Sequence, residues 1–325
     1  MSKNTKEAHS NKISIVTPTF RRPTEAAGLL ENLTQQTCLP VEVILVDGSP
    51  ADETETENVV AEIAGSLPFQ CHYIRHENGT AIQRNAGIEK AAGGFIAFID
   101  DDVRLDPQFL NTIINVFAQD TEKKIGGIVG YRTNQHFRLN DRQRWRWYRR
   151  LRLLTIYEPG KYDFRSGYPI NALMQPPFSG LRKVDFMTTA CAVWRREVFE
   201  CGLRFDPFFR DYGVLEDAHL SLRAGRQWEL LQCGDAHCVE LSSPNARVNR
   251  QAIGFKTVVN HYYVFQDVVG PLTWRHKMRF WRFQAFELLR LTSSAIRRRR
   301  RMDLSELQGR LSGFLAIARG LSSLS

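Results

Sequence analysis

Residues 84–102 read RNAGIEKAAGGFIAFIDDD, and this stretch decides the fold of the chain. Its centre is the continuous apolar run 95–99, which predicts a strand buried on both faces, as in a parallel sheet covered by helices. The preceding residues, 79–92, have a helix pattern that two glycines end. Three consecutive aspartates follow the strand. The sequence therefore predicts a carboxylate cluster at the carboxyl edge of a sheet, where open α/β folds bind ligands.

The aspartates are Asp100, Asp101 and Asp102, and an ordinary solvated turn, the alternative interpretation, needs only one. Asp100 and Asp102 face the same side if strand geometry continues, and Asp101 then points away. Facing carboxylates favour a bound cation, or else the pKa of one of them rises. An octahedral ion needs only one or two carboxylates when phosphate oxygens complete its ligands. We therefore expect Mg²⁺ or Mn²⁺ here, bridging to a diphosphate.

Strand and helix patterns alternate along the first part of the chain. Strands are predicted at 12–17, 41–46, 70–74 and 125–131, and helices at 23–36 and 53–64. Pro18 is expected to end the first strand. Further on, residues 184–194 predict a strand and 215–226 an amphipathic helix that Glu216 and Asp217 open. The predicted fold class is α/β, with a doubly wound, mostly parallel sheet flanked by helices.

The net charge of +9 is distributed unevenly. Residues 131–165 hold ten Lys or Arg against three acids, and residues 272–301 hold ten against one, so the remainder is acidic. The first segment contains a basic aromatic run at 142–154. In the second, apolar residues recur at helical spacing among arginines and lysines: Trp274, Met278, Trp281, Ala285 and Leu288.

A basic helix of this kind has three possible uses. It can lie on an anionic membrane surface, pack its apolar stripe on the rest of the protein, or bind single-stranded nucleic acid. We favour the membrane surface and expect no nucleic acid partner. Residues 1–11 lack the apolar core of a signal peptide, and no run of eighteen uncharged apolar residues occurs. The expected location is the cytoplasm, on the cytoplasmic face of the membrane.

Four pieces of sequence in this order resemble the family 2 glycosyltransferases with a GT-A fold. They are ISIVTPTF at 13–20, VILVDGS at 43–49, the stretch 84–102, and VDFMTTACAVWRREVF at 184–199 leading to LEDAHLSLR at 215–223. Each piece alone is weak, but the four together cover about residues 13–247. The resemblance implies a transferase that takes a sugar from a nucleotide-sugar donor.

The resemblance also implies roles for individual residues. Asp217 is the general base that takes the proton of the acceptor hydroxyl, and Asp102, with Asp100, is the metal ligand of the DxD motif. The remaining residues implied to contact nucleotide or substrate are Thr17, Pro18, Thr19, Asp47, Arg84, Asn85, Asp101, Glu216 and Arg247. Asp217 lies at a helix N-terminus, which favours an ionised carboxylate.

Two positions depart from the family pattern. The loop after the second strand is one residue shorter than the common form, which affects the expected base contact of Asp47. Glu240 stands where many relatives have a histidine, and either Glu240 or His237 is a candidate to replace it at the metal. A zinc site from Cys233, His237 and Cys238 lacks a second half with metal spacing.

The expected organisation is a flexible tail at 1–11 and a nucleotide-sugar-binding half at 12–131. A basic irregular segment at 132–182 faces the acceptor or the membrane, residues 183–250 supply the acceptor site and the base, and residues 251–325 form a helical basic extension. The predicted function is metal-dependent, inverting transfer of a sugar from a UDP- or dTDP-linked donor to a glycan or lipid-linked acceptor, as in polysaccharide biosynthesis. The alternatives are a sugar-nucleotide nucleotidyltransferase and a non-catalytic basic binding protein.

Overall fold

The structure, a computed structural model, describes residues 12–134, 139–211, 213–241, 249–298 and 301–320. Its strands are β1 Ile13–Thr19, β2 Glu42–Asp47, β3 Gln70–Arg75, β4 Phe95–Ile99, β5 Val103–Leu105, β6 Ile125–Arg132, β7 Tyr162–Asp163, β8 Tyr168–Pro169, β9 Leu181–Val184, β10 Cys191–Arg195 and β11 Glu229–Glu240. Its α-helices are α1 Pro23–Leu33, α2 Glu55–Ala64, α3 Thr80–Lys90, α4 Phe109–Gln119, α5 Leu139–Arg150, α6 Glu197–Glu200, α7 Glu216–Ala224, α8 Arg250–Val269, α9 Trp274–Arg298 and α10 Arg301–Ala318.

Within the described residues, nine strands form one sheet in the order β3-β2-β1-β4-β10-β6-β11-β5, and β9 pairs with β11. Strands β1 to β4 are parallel, β10 is antiparallel between β4 and β6, and β6 is parallel to β11. Helices follow most of the strands, and β7 and β8 form a separate hairpin. The predicted α/β class with a mostly parallel sheet is confirmed.

The central strands form the core because their side chains are apolar on both faces. Every residue of β1, β2 and β4 is buried, and α1 covers them with Leu29, Leu30 and Leu33. Burial on both faces explains why β4 is wholly apolar and why β2 is apolar from Val43 to Val46. The carboxyl ends of β1, β2 and β4 therefore meet at one edge of the sheet.

Pro18 does not end the first strand, which continues to Thr19. Pro18 and Thr19 pair with Val46 and Asp47 of β2. On the other side, pairing with β4 stops at Val16. At Pro18 the strand has only one hydrogen-bonded neighbour, so the missing N–H is tolerated as it is at a sheet edge.

The strand predicted at 184–194 is two strands with a loop between them. β9 ends at Val184 and β10 begins at Cys191. Asp185 leaves strand geometry because its carboxylate accepts the N–H of Tyr162 at 3.0 Å and lies 3.1 Å from Nζ of Lys161. A carboxylate satisfied by a neighbouring loop is incompatible with continued pairing in the apolar sheet.

The C-terminal region consists of three long helices. Helices α8 and α10 approach each other closely, since a Cβ at Gly309 would lie 1.9 Å from the carbonyl oxygen of Gln251. The buried face of α9 is formed by Phe280, Phe283, Gln284, Glu287 and Leu291. No helix in the part of the chain that the structure describes is long and apolar enough to cross a membrane.

The apolar stripe predicted on the basic helix does not coincide with its buried face. Trp274 is 68% exposed and Met278 50% exposed, whereas Trp281 packs partly against Tyr262 and Phe280. Helix α9 packs instead through Phe280 and the buried residues that follow it on the same face. Packing of the whole stripe on the protein, one of the alternatives above, is therefore wrong for its first two members.

Candidate active site

The three aspartates form a turn (residues 100–102, here the aspartate turn) at the carboxyl end of β4. Strand geometry ends at Ile99, and the N–H of Val103 donates to the carbonyl of Asp100 at 3.1 Å. The expectation that Asp100 and Asp102 face the same side required strand geometry to continue, and it fails because side chains in a turn do not alternate. The aspartates are instead divided between two arginines.

Arg22 bridges the second and third aspartates. Its Nη1 lies 2.7 Å from Oδ1 of Asp101 and 3.2 Å from Oδ2 of Asp102. The hydroxyl of Thr19 donates to Oδ2 of Asp101 at 2.8 Å. The contact follows from topology, since β1 and β4 are adjacent parallel strands and the residues after both of them meet. Burial raises the pKa of Asp101, against the opposing effects of Arg22 and Thr19. Asp101 is thus an internal, bonded residue and does not point away from the cluster.

Arg84 joins the first aspartate to a later helix. Its Nη2 lies 3.0 Å from Oδ1 of Asp100, and its Nη1 contacts Oε1 of Glu216. The hydroxyl of Thr80, one turn earlier on α3, donates to Oε2 of Glu216 at 2.8 Å. Arg84 and Glu216 are both buried. Through this ion pair, the N-terminus of α7 is attached to the aspartate turn.

The start of α7 requires an unusual backbone. Leu215 has φ 72°, in the left-handed region that costs free energy for a residue other than glycine. A Cβ at Gly213 would lie 1.8 Å from Oε2 of Glu216, so the close approach requires glycine. This strained entry allows the first helical residues, Glu216 and Asp217, to lie beside Arg84.

Asp217 is partly buried beside the other acids. Its Oδ1 accepts the N–H of Ala218 at 2.7 Å. Burial raises the pKa of Asp217 and the charge of Asp100 adds to the rise, while Ala218, Arg84 and Arg132 oppose it. A carboxyl group with a raised pKa is suited to accept a proton near neutral pH.

Asp102 lies among several other acids. Burial, and then the charges of Asp100 and Asp101, raise the pKa of Asp102 to about 6 despite the nearby Arg22. Glu240 adds further repulsion. A carboxylate that is destabilised by like charges gains from a nearby cation.

Glu240, a candidate replacement for the family histidine, lies near this group. It pairs with Val103 across β11 and β5, and the N–H of Leu241 donates to the carbonyl of Asp102 at 2.7 Å. The Glu240 carboxylate contacts Nη1 of Arg132. His237, the other candidate, is exposed at the far side of the same strand, and its carbonyl accepts the N–H of Asp106. Of the two candidates, Glu240 is thus the one that lies near Asp102, and a contact of either residue with a metal stays a prediction.

Among the described residues, no group of three His, Cys, Asp or Glu side chains could hold a metal by itself, which includes Cys233, His237 and Cys238. A metal that arrives with a nucleotide needs fewer protein ligands, because phosphate oxygens complete its coordination. Asp102 offers a partly exposed carboxylate whose pKa is raised by its acidic neighbours. The residues present fit a divalent cation held by Asp102, with Asp100 beside it.

The predicted nucleotide residues of β1 and β2 lie at the same edge but differ in their contacts. Thr17 has a buried hydroxyl with no hydrogen-bond partner among the described residues. Oδ1 of Asp47 accepts the N–H and hydroxyl of Ser49 at 2.8 and 2.6 Å, and Oδ2 accepts the hydroxyl of Tyr73 at 2.7 Å. Oδ2 of Asp47 thus accepts one hydrogen bond and can accept a second, and the contact between Asp47 and a base stays a prediction.

Two further predicted residues lie away from the aspartate turn or outside the described residues. The amide of Asn85 donates to the carbonyl of Phe205 at 2.8 Å and accepts its N–H at 3.0 Å. The structure thus gives Asn85 a contact that holds the loop before α7, and a nucleotide contact stays a prediction. Arg247 falls outside the residues that the structure describes.

Sequence reasoning missed three residues of this site. Arg22 and Arg132 each pair with acids of the cluster, and Thr80 bonds Glu216. Neither contact could be predicted from the sequence, because Arg22 meets the aspartate turn through the adjacency of β1 and β4, and Arg132 meets Glu240 through the pairing of β6 with β11.

Comparison with known proteins agrees with this arrangement. The family model described as glycosyl transferase family 2 matches residues 14–203. An uncharacterized glycosyltransferase of Haemophilus influenzae is 34% identical over 108 residues, which cover 33% of this chain and 35% of that protein. A GalNAc(5)-diNAcBac-PP-undecaprenol beta-1,3-glucosyltransferase of Campylobacter jejuni is 26% identical over 106 residues, 32% of this chain and 33% of that protein. The chain thus spans about a third of the length of the curated relatives it matches.

Among solved structures, a mannosyltransferase from Pyrobaculum calidifontis in complex with GDP-Man and Mn²⁺ has a TM-score of 0.54 at 15% identity, over 93% of this chain and 87% of that one. At this identity the likeness concerns the fold. The family match covers more than half of the chain. The chain therefore belongs to glycosyl transferase family 2, and its architecture is of the GT-A type, with additional C-terminal helices.

Proposed function

We propose that the protein is a metal-dependent, inverting glycosyltransferase that moves a sugar from a nucleotide-sugar donor, UDP- or dTDP-linked, to a hydroxyl of a glycan or lipid-linked acceptor. One observation carries the proposal. Arg84 contacts both Asp100 and Glu216, and so holds the aspartate turn next to Asp217 at the start of α7. A carboxylate for the metal and a separate carboxylate for a proton are thus brought to one edge of the sheet.

In this mechanism Asp217 accepts the proton of the acceptor hydroxyl as the oxygen attacks the anomeric carbon. The bond from that carbon to the diphosphate breaks, and its electron pair leaves with the nucleoside diphosphate. Attack from the face opposite the leaving group inverts the anomeric centre. Burial is the first cause that raises the pKa of Asp217, and a raised pKa makes its carboxylate a stronger base for this proton.

Asp102, with Asp100 beside it, would hold Mg²⁺ or Mn²⁺, which supplies positive charge to the departing diphosphate when bound. Arg22 and Arg84 hold the aspartates in position through their ion pairs. The P. calidifontis structure contains GDP-Man and Mn²⁺ on the same fold, which supports a divalent cofactor here. The undecaprenol-linked acceptor named for the C. jejuni relative supports a lipid-linked acceptor.

The domain assignments are part of this proposal. Residues 12–131 bind the nucleotide sugar, and residues 183–250 supply the base and part of the acceptor site. Residues 132–182 form the wall facing the acceptor. Arg132 and Thr188, whose side chains lie 3.4 Å apart at Nη2 and Oγ1, stand where those regions meet.

Two substitutions test the assignment. Asp217→Asn should slow transfer by about 10²- to 10⁴-fold, the usual contribution of a general base, while UDP still binds in the presence of Mn²⁺. Asp102→Asn should weaken Mn²⁺-dependent UDP binding and transfer together. Asp106→Asn, an exposed acid four residues further along, is the matched control and should retain activity. Transfer is measured with a panel of nucleotide sugars, with and without Mn²⁺, and full activity of either active-site variant would refute the assignment.

We further propose that α9 docks on an anionic bilayer at the cytoplasmic face of the membrane. The exposed Trp274 and Met278 lie between Arg275, Lys277 and Arg282, which are exposed as well. Aromatic and apolar residues with flanking cations are typical of interfacial helices, and each Lys or Arg near an anionic surface contributes about 1 kcal/mol.

Helix α5 adds to the same basic surface. It carries Trp147, 49% exposed, with Arg146, Arg149 and Arg150 beside it. The hydroxyl of Tyr148 on α5 donates to Oε1 of Glu287 on α9 at 2.6 Å, so the two basic helices are packed together. Charge and apolar exposure thus occur together on both helices.

Vesicle binding tests this part of the proposal. Cosedimentation with vesicles containing anionic phosphatidylglycerol should exceed that with neutral phosphatidylcholine, and should fall in Trp274→Ala/Met278→Ala and in Arg275→Gln/Lys277→Gln. Leu311→Ala, an exposed leucine on α10 that is 46% accessible, is the control. Equal binding to both vesicle types, or unchanged binding by the variants, contradicts the proposal. Preferential binding to a single-stranded oligonucleotide would assign the surface to nucleic acid instead.

A further inference from the structure

The two arginines at the aspartate turn are held differently. Arg84 has 4% of its side chain exposed and donates through both Nη atoms, to Asp100 and to Glu216. Arg22 has 22% of its side chain exposed, and its contacts with carboxylates run through Nη1 alone. Within the described residues no hydrogen bond from its Nε or Nη2 to a protein acceptor is seen. Arg84 is therefore locked in place, whereas Arg22 is free on its solvent side.

Arg22 touches the carboxylate proposed to hold the metal. Its distance to Oδ2 of Asp102, 3.2 Å, is longer than its distance to Oδ1 of Asp101, 2.7 Å. Asp101 is buried, while Asp102 is partly exposed. The bond to Asp102 is thus the weaker and more accessible half of the bridge, and a cation that approaches Asp102 from solvent meets the guanidinium there.

The preceding residue, Arg21, is directed away from the aspartates. Arg21 has φ 54°, a left-handed conformation that costs free energy for this residue type. The N–H of Arg21 donates to Oγ of Ser49 at 2.8 Å, and its guanidinium pairs with Glu53. Two consecutive arginines are therefore sent to different partners, and only Arg22 is directed to the aspartates.

We propose that Arg22 is an internal cation that competes with the divalent metal for Asp102: metal binding displaces Nη1 of Arg22 from Asp102 while the bond to Asp101 remains. This inference rests on the proposed metal site. Arg22 neutralises the acid pair before the donor arrives and lowers the affinity for the metal alone. The displaced guanidinium, still attached to Asp101, can then donate through Nε or Nη2 to the diphosphate, because guanidinium groups pair well with phosphate oxygens.

The experiment compares Mn²⁺ affinity of the full chain without nucleotide, measured by the paramagnetic resonance signal of free Mn²⁺. Arg22→Gln should bind Mn²⁺ roughly tenfold more tightly than the wild type, the factor expected when one charge-assisted hydrogen bond to the ligand is removed. Arg21→Gln removes the same charge one residue away without touching Asp102, and it should bind Mn²⁺ like the wild type. Arg22→Lys, which keeps the charge, should fall between wild type and Arg22→Gln.

A second measurement adds UDP. In the wild type UDP should tighten Mn²⁺ binding more than it does in Arg22→Gln, because the variant lacks the displaced guanidinium. Unchanged or weaker Mn²⁺ binding by Arg22→Gln, with Arg22→Lys in agreement and both variants folded by circular dichroism, overturns the inference and leaves Arg22 a structural residue. If UDP and Mn²⁺ bind normally in that case, the proposed function stands; if the wild type binds no Mn²⁺ with or without UDP, the proposed function fails and this inference fails with it.

Discussion

In the part of the chain that the structure describes, two buried glutamates pair with arginines, one at the candidate active site and one among the C-terminal helices. Glu216 contacts Arg84 and accepts the hydroxyl of Thr80. Glu287, on α9, accepts from Arg144 at 2.8 Å, from Tyr148 at 2.6 Å and from Arg290 at 3.0 Å. Both glutamates are at most 5% exposed, so desolvation penalises both charges. The two glutamates are alike in burial, whereas the side chain of Arg84 is 4% exposed and that of Arg144 is 28% exposed.

Their surroundings shift the pKa values of the two glutamates in opposite directions. Burial would raise the pKa of Glu287, but Arg144 and Arg290 lower it to about 2. Burial raises the pKa of Glu216, and the charge of Asp217 adds to this, so that Arg84 does not restore the ordinary value. The C-terminal pair thus has an excess of donors, while the active-site pair has an excess of acids. Perturbed buried acids of this kind are typical of functional sites, and their excess is consistent with the divalent cation proposed above.

The largest loss of folding stability should come from removing Arg84, because its surroundings contain more acids than arginines. Arg84→Met leaves Glu216 buried beside two other acids, and we expect the free energy of unfolding to fall by about 3–5 kcal/mol. Urea denaturation at pH 7 measures it. Lys90→Met, at the exposed end of the same helix, serves as the control and should change stability by less than about 0.5 kcal/mol. A loss as small as the control would mean that Glu216 takes up a proton at little cost.

Removing the arginine of the C-terminal pair, Arg144, should reduce folding stability less than removing Arg84. Arg144→Met leaves Glu287 with Tyr148 and Arg290, so we expect a loss of about 2 kcal/mol, the value of one hydrogen bond to a charged group. Arg146→Met, on the exposed side of α5, is the matched control. The same urea measurement applies, and a loss larger than that of Arg84→Met would reverse the comparison.

The smallest expected loss of folding stability, which also depends on pH, comes from replacing Glu287 itself. Because the pKa of Glu287 is lowered in the folded state, its ionised form contributes stability above the unfolded value, near 4.5, and this contribution is lost as the pH falls towards about 2. Glu287→Gln should therefore cost about 1–2 kcal/mol at pH 7 and progressively less below pH 4. Urea titrations of both proteins at pH 7, 5 and 3 give the difference, and a gap that does not narrow with acidity contradicts the assignment.

Much of the fold could be predicted from sequence because the central strands are apolar on both faces. The run 95–99 is a strand whose bounds agree with the structure, and the alternation of strands and helices gave the correct class. The predictions were wrong where long-range contacts overrode a local sequence rule. Pro18 continues β1 because pairing with β4 has already stopped, and residues 184–194 divide at Asp185 because its carboxylate binds a neighbouring loop.

The acids of the candidate site were predicted from the sequence, and the structure supplied their partners. The aspartate trio and the Glu-Asp start of α7 could be recognised by residue type and by their positions at element ends. Arg84 was predicted as a site residue from the family resemblance, but the ion pairs of Arg22 and Arg84 were not predicted, since Arg22 precedes Asp102 by 80 residues and Arg84 precedes Glu216 by 132. Contacts over such distances follow from strand order, which the local pattern does not contain.

The sequence by itself determined that a buried strand ends in three carboxylates at the ligand-binding edge of an α/β sheet. This could be read locally, because an apolar run favours burial and acidic residues favour the end of a strand. Only the tertiary structure decided how those charges are shared: Asp100 with Arg84, and Asp101 and Asp102 with Arg22. The physical reason is that charge balance depends on the distance between atoms, and the order of β1, β4 and their neighbours in the sheet sets that distance.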